Sequence, residues 1–161
     1  MRRLRMGMIG GGPGAFIGPV HRIAAELDRE IELVAGAFSS TPERSRAAGE
    51  AYRIDPLRAY ADVAAMLAGE AARDDGIDFV SIVSPNHHQL PAARAALAAG
   101  IPVMSDKPMT ANLAEARELA DMVGRAGLPY ALSYTYSGYP LVREARARIA
   151  LQLISARIQT A

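Results

Sequence analysis

The stretch SDKPM, residues 105–109, contains the only lysine of the chain, Lys107, although the sequence has 18 lysine and arginine residues in all. Lysine is a compact cation that loses its proton readily on burial, whereas arginine is a flat fork that is always charged. A single lysine among arginines therefore suggests a position that needs a compact cation, to hold a substrate hydroxyl or polarise a carbonyl. The alternative is that the composition drifted toward arginine and one lysine survived by chance. Asp106 is placed to pair with the ammonium group, and Pro108 to stiffen the turn.

A second candidate site is the glycine cluster GMIGGGPGAFIG, residues 7–18, between the first predicted strand and the first predicted helix. Glycines in such a turn permit a tight bend and let the backbone approach a pyrophosphate at the helix N-terminus. Gly10 and Gly12 fit the first two positions of a dinucleotide fingerprint. Strict spacing puts the third position at Ala15, with Gly14 and Gly18 on either side. We predict that Gly10, Gly12 and Gly14 bind the cofactor; the alternative is a glycine loop without a ligand.

The end of the second strand distinguishes NAD from NADP. An acidic residue there bonds the ribose 2′-hydroxyl of NAD, while an arginine accommodates the 2′-phosphate of NADP. The sequence reads FSSTPERS at this point, with Ser39 and Ser40 instead of an acid and Arg44 close by. These three residues favour NADP over NAD. The alternative is that the serines form a turn and a helix cap and that Arg44 is a solvated helix residue.

A third segment, VSPNHHQLP, follows the strand IDFVSIVS, which we number fourth. Ligands of open parallel sheets bind beyond the carboxyl ends of the strands, so Ser84, Pro85 and Asn86 are expected to line the same cleft. The segment SDKP ends the fifth strand, which brings Asp106 and Lys107 to that cleft as well. His87 and His88 face different directions and no carboxylate or cysteine cluster accompanies them, so we predict no metal site.

The elements that must position these residues alternate along the chain. Strands LRMGMIG, IELVAGAF, IDFVSIVS, IPVMS and PYALSYT are separated by segments with helical spacing of apolar residues. This alternation predicts an α/β fold with a doubly wound, mostly parallel sheet. We assign residues 1–140 to one domain and residues 141–161 to a terminal helix.

The composition excludes several classes of protein. The chain has 161 residues, 50% hydrophobic and 22% charged, with a net charge of +1 and no cysteine. A balanced charge predicts neither a nucleic-acid partner nor an anionic membrane surface, and no apolar stretch reaches membrane-spanning length. The absence of cysteine removes disulfides and thiolate chemistry. We expect a cytoplasmic protein.

The order of GMIGGGPG with VHRIAA, SPN, AALAAGIPVMSDKP and a long helix resembles the glucose–fructose oxidoreductase / inositol dehydrogenase / MocA (Gfo/Idh/MocA) family over roughly residues 4–148. The resemblance implies a Rossmann domain that binds NAD or NADP, and oxidation of sugars, cyclitols or similar polyols by hydride transfer. It implies that Lys107 is the active-site lysine and that Asn86 contacts the nicotinamide side. Asp106 stands where the family more often has a glutamate, and Gln89 stands where its members often have a histidine.

Two further tyrosines follow from the same resemblance. Tyr134 and Tyr136, in YTYSGYP, fall where the chain passes the nicotinamide end of the cleft. A substrate contact is one interpretation. Buried packing is the one we favour for both side chains.

Members of that family are well over twice as long, because a second α/β domain supplies the substrate pocket and the histidine acid–base. This sequence ends inside or just after its last helix. We therefore expect the cofactor-binding half of an oxidoreductase, inactive alone; the alternative is a non-catalytic dinucleotide-binding sensor or assembly module. Apolar residues cover more than one face of the last helix, which predicts either self-association or completion of the domain's own core. They are Ile149, Leu151, Leu153, Ile154 and Ile158.

Overall fold

A five-stranded parallel sheet forms the centre of the protein. The structure, a computed structural model, describes residues 2–159, with side chains described through residue 151. The strands lie in the order β2-β1-β3-β4-β5, and each neighbouring pair is parallel. They are β1 Leu4–Gly10, β2 Ile31–Ala37, β3 Phe79–Val83, β4 Val103–Asp106 and β5 Tyr130–Ser133. The predicted α/β class with a parallel sheet is confirmed.

Helices connect the strands, as parallel pairing requires. They are α1 Ile17–Glu26, α2 Pro42–Tyr52, α3 Val63–Ala71, α4 Asn86–Ala98, α5 Leu113–Ala126 and α6 Pro140–Gln159, with 3₁₀ turns at Pro56–Arg58 and Thr135–Gly138. Helix α2 begins at Pro42 after an extended Thr41, as its sequence predicts. Helix α5 begins after Asn112, whose side chain accepts a hydrogen bond from the Glu115 amide, and it is capped at its end by Gly127 with a φ of 64°. No described helix is long and apolar enough to span a bilayer.

The helices cover both faces of the sheet. Alternate side chains of a strand point to opposite faces, so Met6 and Met8 pack with α1 and α2, whereas Ile9 packs with α3, α4 and α5. Each large apolar side chain buried in this way contributes about 1.5–3 kcal/mol. Because buried side chains pack against both faces of the central strands, the carboxyl ends of β1, β3 and β4 are held in fixed positions.

All five strands listed from the sequence are present, and only the labels given to two of them differ. The strands that we numbered fourth and fifth are β3 and β4. Between α2 and α3 the chain pairs with β2 at one parallel bridge only, Gly36 with Ala59, where the Tyr60 amide donates to the Gly36 carbonyl at 2.9 Å. The conventional doubly wound order has a further strand at this place, and numbering that includes such a strand explains the difference in labels.

Helix α6 leaves apolar side chains in solvent. Ile149 and Leu151 are exposed, which argues against the interpretation that they complete the domain core. The other three apolar residues of that prediction, Leu153, Ile154 and Ile158, lie outside the described side chains. Self-association through this helix therefore stays a prediction.

Candidate functional site

A cleft of about 1340 Å³ opens at the carboxyl edge of the sheet, where β1, β2, β3 and β4 end. This is the edge at which open parallel sheets bind their ligands. The predicted site residues that line it are Gly10, Gly12, Ser39, Ser40, Arg44, Ser84, Pro85, Asn86, Asp106 and Lys107. The prediction for Gly14 is not supported, because this residue is not among those lining the cleft. Its φ of +92° instead serves the bend that leads into α1.

The glycine turn between β1 and α1 differs in one respect from the fingerprint spacing. Gly10 and Gly11 have φ values of +80° and +71°, a region that favours glycine. A Cβ added at Gly18 would lie 2.2 Å from the carbonyl oxygen of Gly11. The close contact between helix and loop that a third glycine permits is therefore made at Gly18, not at Ala15. The resulting loop presents Gly11 and Gly12 to the cleft.

Tyr52, at the end of α2, holds the glycine loop from outside the cleft. Its hydroxyl donates a 2.6 Å hydrogen bond to the carbonyl of Gly11, and the Arg22 guanidinium lies 4.9 Å from its ring centroid. Burial raises the pKa of the Tyr52 phenol, and the positive charge of Arg22 partly opposes that rise. Sequence reasoning missed this residue because 41 positions separate the two partners. No local pattern indicates such a contact.

At the far end of the cleft, the turn after β2 carries hydroxyl groups and a cation. Ser39 and Ser40 line the cleft, and the exposed Arg44 faces it from α2. The Thr41 amide donates to the Ser39 hydroxyl at 3.3 Å, so Ser39 does have the turn role that we considered as the alternative. Asp62, which precedes α3, also lines the cleft and was not predicted. No acid stands at Ser39 or Ser40.

A buried serine anchors this turn to the rest of the sheet. Ser45, fully buried on α2, accepts a 3.0 Å bond from the Phe38 amide and donates a 2.6 Å bond to the Tyr60 carbonyl. The two bonds join the end of β2 to the segment beyond the bridge at Ala59. The position of Ser39 and Ser40 is thus set by the fold rather than by the local turn alone.

At the middle of the cleft, Ser84 and Asn86 offer polar groups. The Ser84 hydroxyl oxygen is buried and has no hydrogen-bond partner among the described residues. A buried hydroxyl without a partner costs about 1–3 kcal/mol, so a bound polar ligand is its natural partner. Asn86 opens α4 directly after Pro85 and is exposed to the cleft. The glycine turn, the unpaired hydroxyl and the cleft volume together fit a dinucleotide.

Lys107 follows β4 and is exposed at the cleft. The predicted pairing with Asp106 is wrong in this structure. The Asp106 Oδ1 atom instead lies 3.6 Å from Nε2 of His21, and Lys107 has no ion-pair partner among residues 2–151. Successive strand residues point to opposite faces, so Asp106 turns toward α1 while Lys107 does not. The Lys107–Pro108 peptide is cis.

The remaining candidate side chains are exposed. The interpretation of Tyr134 and Tyr136 as buried packing is wrong, because 61% and 73% of their surfaces are accessible. His87 and His88 are exposed, with ring centroids 4.1 Å apart. Within the part of the chain that the structure describes, no group of three or more histidine or carboxylate side chains could hold a metal ion.

The fold and the cleft together define a class of protein, the dinucleotide-binding domains. A parallel sheet in Rossmann order, a glycine turn after β1 and a cleft across the carboxyl ends are the features of a dinucleotide-binding domain. The model of the GFO_IDH_MocA family, described as an oxidoreductase family with an NAD-binding Rossmann fold, matches residues 4–134. The chain belongs to the Gfo/Idh/MocA family of oxidoreductases and contains its NAD-binding domain.

Individual relatives agree with this assignment. An uncharacterized oxidoreductase of Bacillus subtilis, YfiI, is 37% identical over 147 residues, which are 91% of this chain and 37% of that protein. The crystal structure of an oxidoreductase from Sinorhizobium meliloti is 47% identical with a TM-score of 0.87, covering 93% of this chain and 42% of that one. An inositol dehydrogenase homologue from Azotobacter vinelandii, complexed with NADH and myo-inositol, is 40% identical with a TM-score of 0.88, covering 92% and 39%. The chain thus spans about two fifths of the length of these relatives.

Proposed function

We propose that this chain is the cofactor-binding half of an oxidoreductase that transfers hydride between a nicotinamide dinucleotide and a sugar, cyclitol or similar polyol. The observation that carries the proposal is the single cleft lined by the glycine turn, the unpaired Ser84 hydroxyl and Lys107. The structure of the Azotobacter vinelandii relative, complexed with NADH and myo-inositol, supports the substrate class.

Each lining residue has a role in this proposal. The backbone amides of Gly10 and Gly12 approach the pyrophosphate, while Ser84 and Asn86 bond the polar groups at the nicotinamide side. Lys107 holds the substrate hydroxyl with its ammonium group. The dinucleotide, when bound, accepts or donates the hydride. Pro85 and Asp106 shape the wall between the cofactor and Lys107.

We propose further that NADP is preferred over NAD. Arg44 is exposed at the cleft beside Ser39 and Ser40, where a 2′-phosphate needs a cation and hydroxyl donors. Calorimetric titration with NADPH and NADH tests this directly. We expect tighter binding of NADPH, and a loss of roughly tenfold for NADPH alone in Arg44→Gln, the value of one hydrogen bond to a charged group.

The matched control is Arg46→Gln, because Arg46 lies on the same helix but pairs with Glu43 on the exposed side. That variant should bind both nucleotides like the parent chain. Clearly tighter binding of NADH by the parent would contradict the preference. Failure to bind either nucleotide would contradict the cofactor proposal itself.

We propose that the 161-residue chain alone binds cofactor and turns over polyols poorly. Proton transfer by a positioned group contributes roughly 10²–10⁴-fold, and Lys107 forms no ion pair with a carboxylate or histidine among the described residues 2–151. Tyr134 and Tyr136 are exposed near the end of β5, beside β4, and are our candidates for a substrate contact. Fast oxidation of myo-inositol or another polyol by the purified chain would contradict poor turnover. Cofactor binding without polyol oxidation, even when the second domain of a relative is added, would favour a sensor or assembly module.

Three predictions about the domain boundary, the cellular location and the oligomeric state remain as proposals. We retain residues 1–140 as the cofactor domain and residues 141–161 as a terminal helix, and we place the protein in the cytoplasm from its composition. Exposed apolar side chains on α6, such as Leu141 and Ile149, support self-association through that helix. Sedimentation at tens of micromolar tests this, and a monomer would contradict it.

A further inference from the structure

We propose that His21 and Gln89 are positioning residues that hold the segment carrying Lys107 from opposite faces of the sheet. The inference rests on the proposed function for the importance of Lys107 and goes beyond it in naming what sets the position of that lysine. Both side chains are buried, both are polar, and neither belongs to the cleft residues predicted from the sequence.

His21 reaches the segment from α1. Its Nε2 atom lies 3.6 Å from Asp106 Oδ1, and its Nδ1 atom lies 3.1 Å from the hydroxyl oxygen of Ser81 on β3. The three residues form a chain that crosses from β3 to the end of β4. Asp106 directly precedes Lys107, so any movement of its side chain is transmitted to the lysine within one residue.

The direction of the hydrogen bond between Ser81 and His21 follows from the burial of Ser81. This residue is 0% exposed, and its hydroxyl has no hydrogen-bond partner other than His21 among residues 2–151. A buried hydroxyl proton needs an acceptor, so Ser81 donates to Nδ1. The imidazole then carries its own proton on Nε2, which points that proton at the Asp106 carboxylate.

Gln89 holds the segment from α4, on the other face of the sheet. Its side chain is 2% exposed and lies between the Ser84 carbonyl on one side and the carbonyls of Pro108 and Met109 on the other. The closer contacts are with Pro108 and Met109, and they orient the amide nitrogen toward these two acceptors, with the Met109 carbonyl at 3.1 Å. Burying an amide is costly unless it is bonded, so packing alone does not account for a glutamine at this position.

The two helices thus fix the backbone on each side of Lys107. His21 acts on Asp106, one residue before it, and Gln89 acts on Pro108 and Met109, the two residues after it. The lysine side chain itself has no such restraint and stays available to a ligand in the cleft. Functional groups keep a productive geometry when buried neighbours lock the backbone that bears them.

The single lysine provides a specific probe of this arrangement. Reductive methylation with ¹³C-formaldehyde keeps the charge of the amine and labels only Lys107 and the N-terminal amine. A Lys107→Arg variant identifies which of the two NMR signals belongs to the lysine. The signal is recorded with and without NADPH, in the parent chain and in each variant, and the nucleotide affinity is measured alongside.

Pairs of variants separate positioning from mere packing. In His21→Gln an amide nitrogen takes the place of Nε2 and still reaches Asp106, whereas in His21→Asn it takes the place of Nδ1 and does not. Gln89→His keeps a donor for the two carbonyls, and Gln89→Met keeps the volume without a donor. We expect the Gln and His variants to retain the parent lysine signal. The Asn and Met variants should move that signal and weaken NADPH binding, because the segment that carries Lys107 loses one of its restraints.

The control is His87→Asn, the same substitution at an exposed histidine. It should leave the lysine signal unchanged. If His21→Gln and His21→Asn both fold and give the same lysine signal, the proposal for His21 is overturned. If Gln89→His and Gln89→Met give the same lysine signal, the proposal for Gln89 is overturned. If His21→Asn does not fold, ¹⁵N NMR of the parent imidazole decides instead, because a proton on Nδ1 contradicts a hydrogen bond donated by Ser81 to that nitrogen. A lysine signal that responds to the variants but never to any nucleotide would support the positioning and refute the proposed function.

Discussion

Gly18→Ala tests whether the glycine turn is built on a contact that tolerates no side chain. The added Cβ would lie 2.2, 2.4 and 2.6 Å from three backbone atoms of Gly11, and real Cβ atoms essentially never approach closer than 3.0 Å. The loop or the helix must therefore move, and backbone atoms cannot rotate aside as a flexible side chain can. The movement, on the order of 1 Å, would displace the part of the loop that faces the cofactor.

The expected loss of stability is about 2 kcal/mol. Overpacking costs about 1–3 kcal/mol, with backbone contacts at the upper end, and alanine regains at most about 1 kcal/mol over glycine in a helix. For a chain of this size, 1 kcal/mol lowers the melting temperature by about 2–4 °C, so a decrease of about 4–8 °C is expected. Dinucleotide affinity should fall at least about tenfold, the loss of one bond to a charged phosphate.

Thermal unfolding and calorimetric titration with NADPH measure both effects. The matched control is Gly124→Ala, since Gly124 lies in α5 with nothing within 4 Å of an added Cβ. That variant should be more stable by up to about 1 kcal/mol and should bind normally. A Gly18→Ala chain as stable as the parent, with the same affinity, would refute the assignment of the third glycine to Gly18.

Three other substitutions test the supports of the site and of the fold. Tyr52→Phe removes the bond to the Gly11 carbonyl and should cost about 1–2 kcal/mol in chemical unfolding, with weaker NADPH binding; an unchanged midpoint would contradict a structural role for that hydroxyl. The hydrogen bond from Arg2 holds the pKa of Asp78 at about 2. The ionised Asp78 therefore contributes fully to the free energy of unfolding above pH 4, and this contribution is lost as the pH falls toward 2. Asp78→Asn should reduce that loss of stability in acid. Burial raises the pKa of Tyr60 to about 12, so stability should fall as the pH rises from 10 to 12, and a Tyr60→Phe chain with the same alkaline decline would disprove this origin.

Local patterns carried most of the fold and most of the cleft. Strand and helix periodicity located the five strands and six α-helices but not the two 3₁₀ turns, and the rule that ligands bind beyond the carboxyl ends placed Ser39, Ser84 and Lys107 in one cleft. What remained hidden depends on contacts between distant segments. Between α2 and α3, for example, Ala59 pairs with Gly36 through a single bridge, and a bridge has no sequence pattern.

The supports of the site were hidden for the same reason. Asp106 and Lys107 are adjacent in sequence, which suggested an ion pair, but strand alternation turns Asp106 toward His21, 85 residues away. Tyr134 and Tyr136 were expected to be buried, yet both side chains are mostly exposed. The resemblance predicts a functional role for Lys107, and only the tertiary structure shows that His21 and Gln89 contact the residues on either side of it.

The measurement that tests the central claim most directly is an NMR titration of the ¹⁵N-labelled chain with NADPH. The account predicts saturable shifts in the amides of Gly10, Gly11 and Gly12, together with those of Ser84, Asn86 and Lys107, because all of them line one cleft. Amides on the opposite edge of the sheet, such as Leu4 and Ile31, should stay in place. An unchanged spectrum at millimolar nucleotide, or shifts confined to residues outside the cleft, would contradict the claim that this domain binds a nicotinamide dinucleotide.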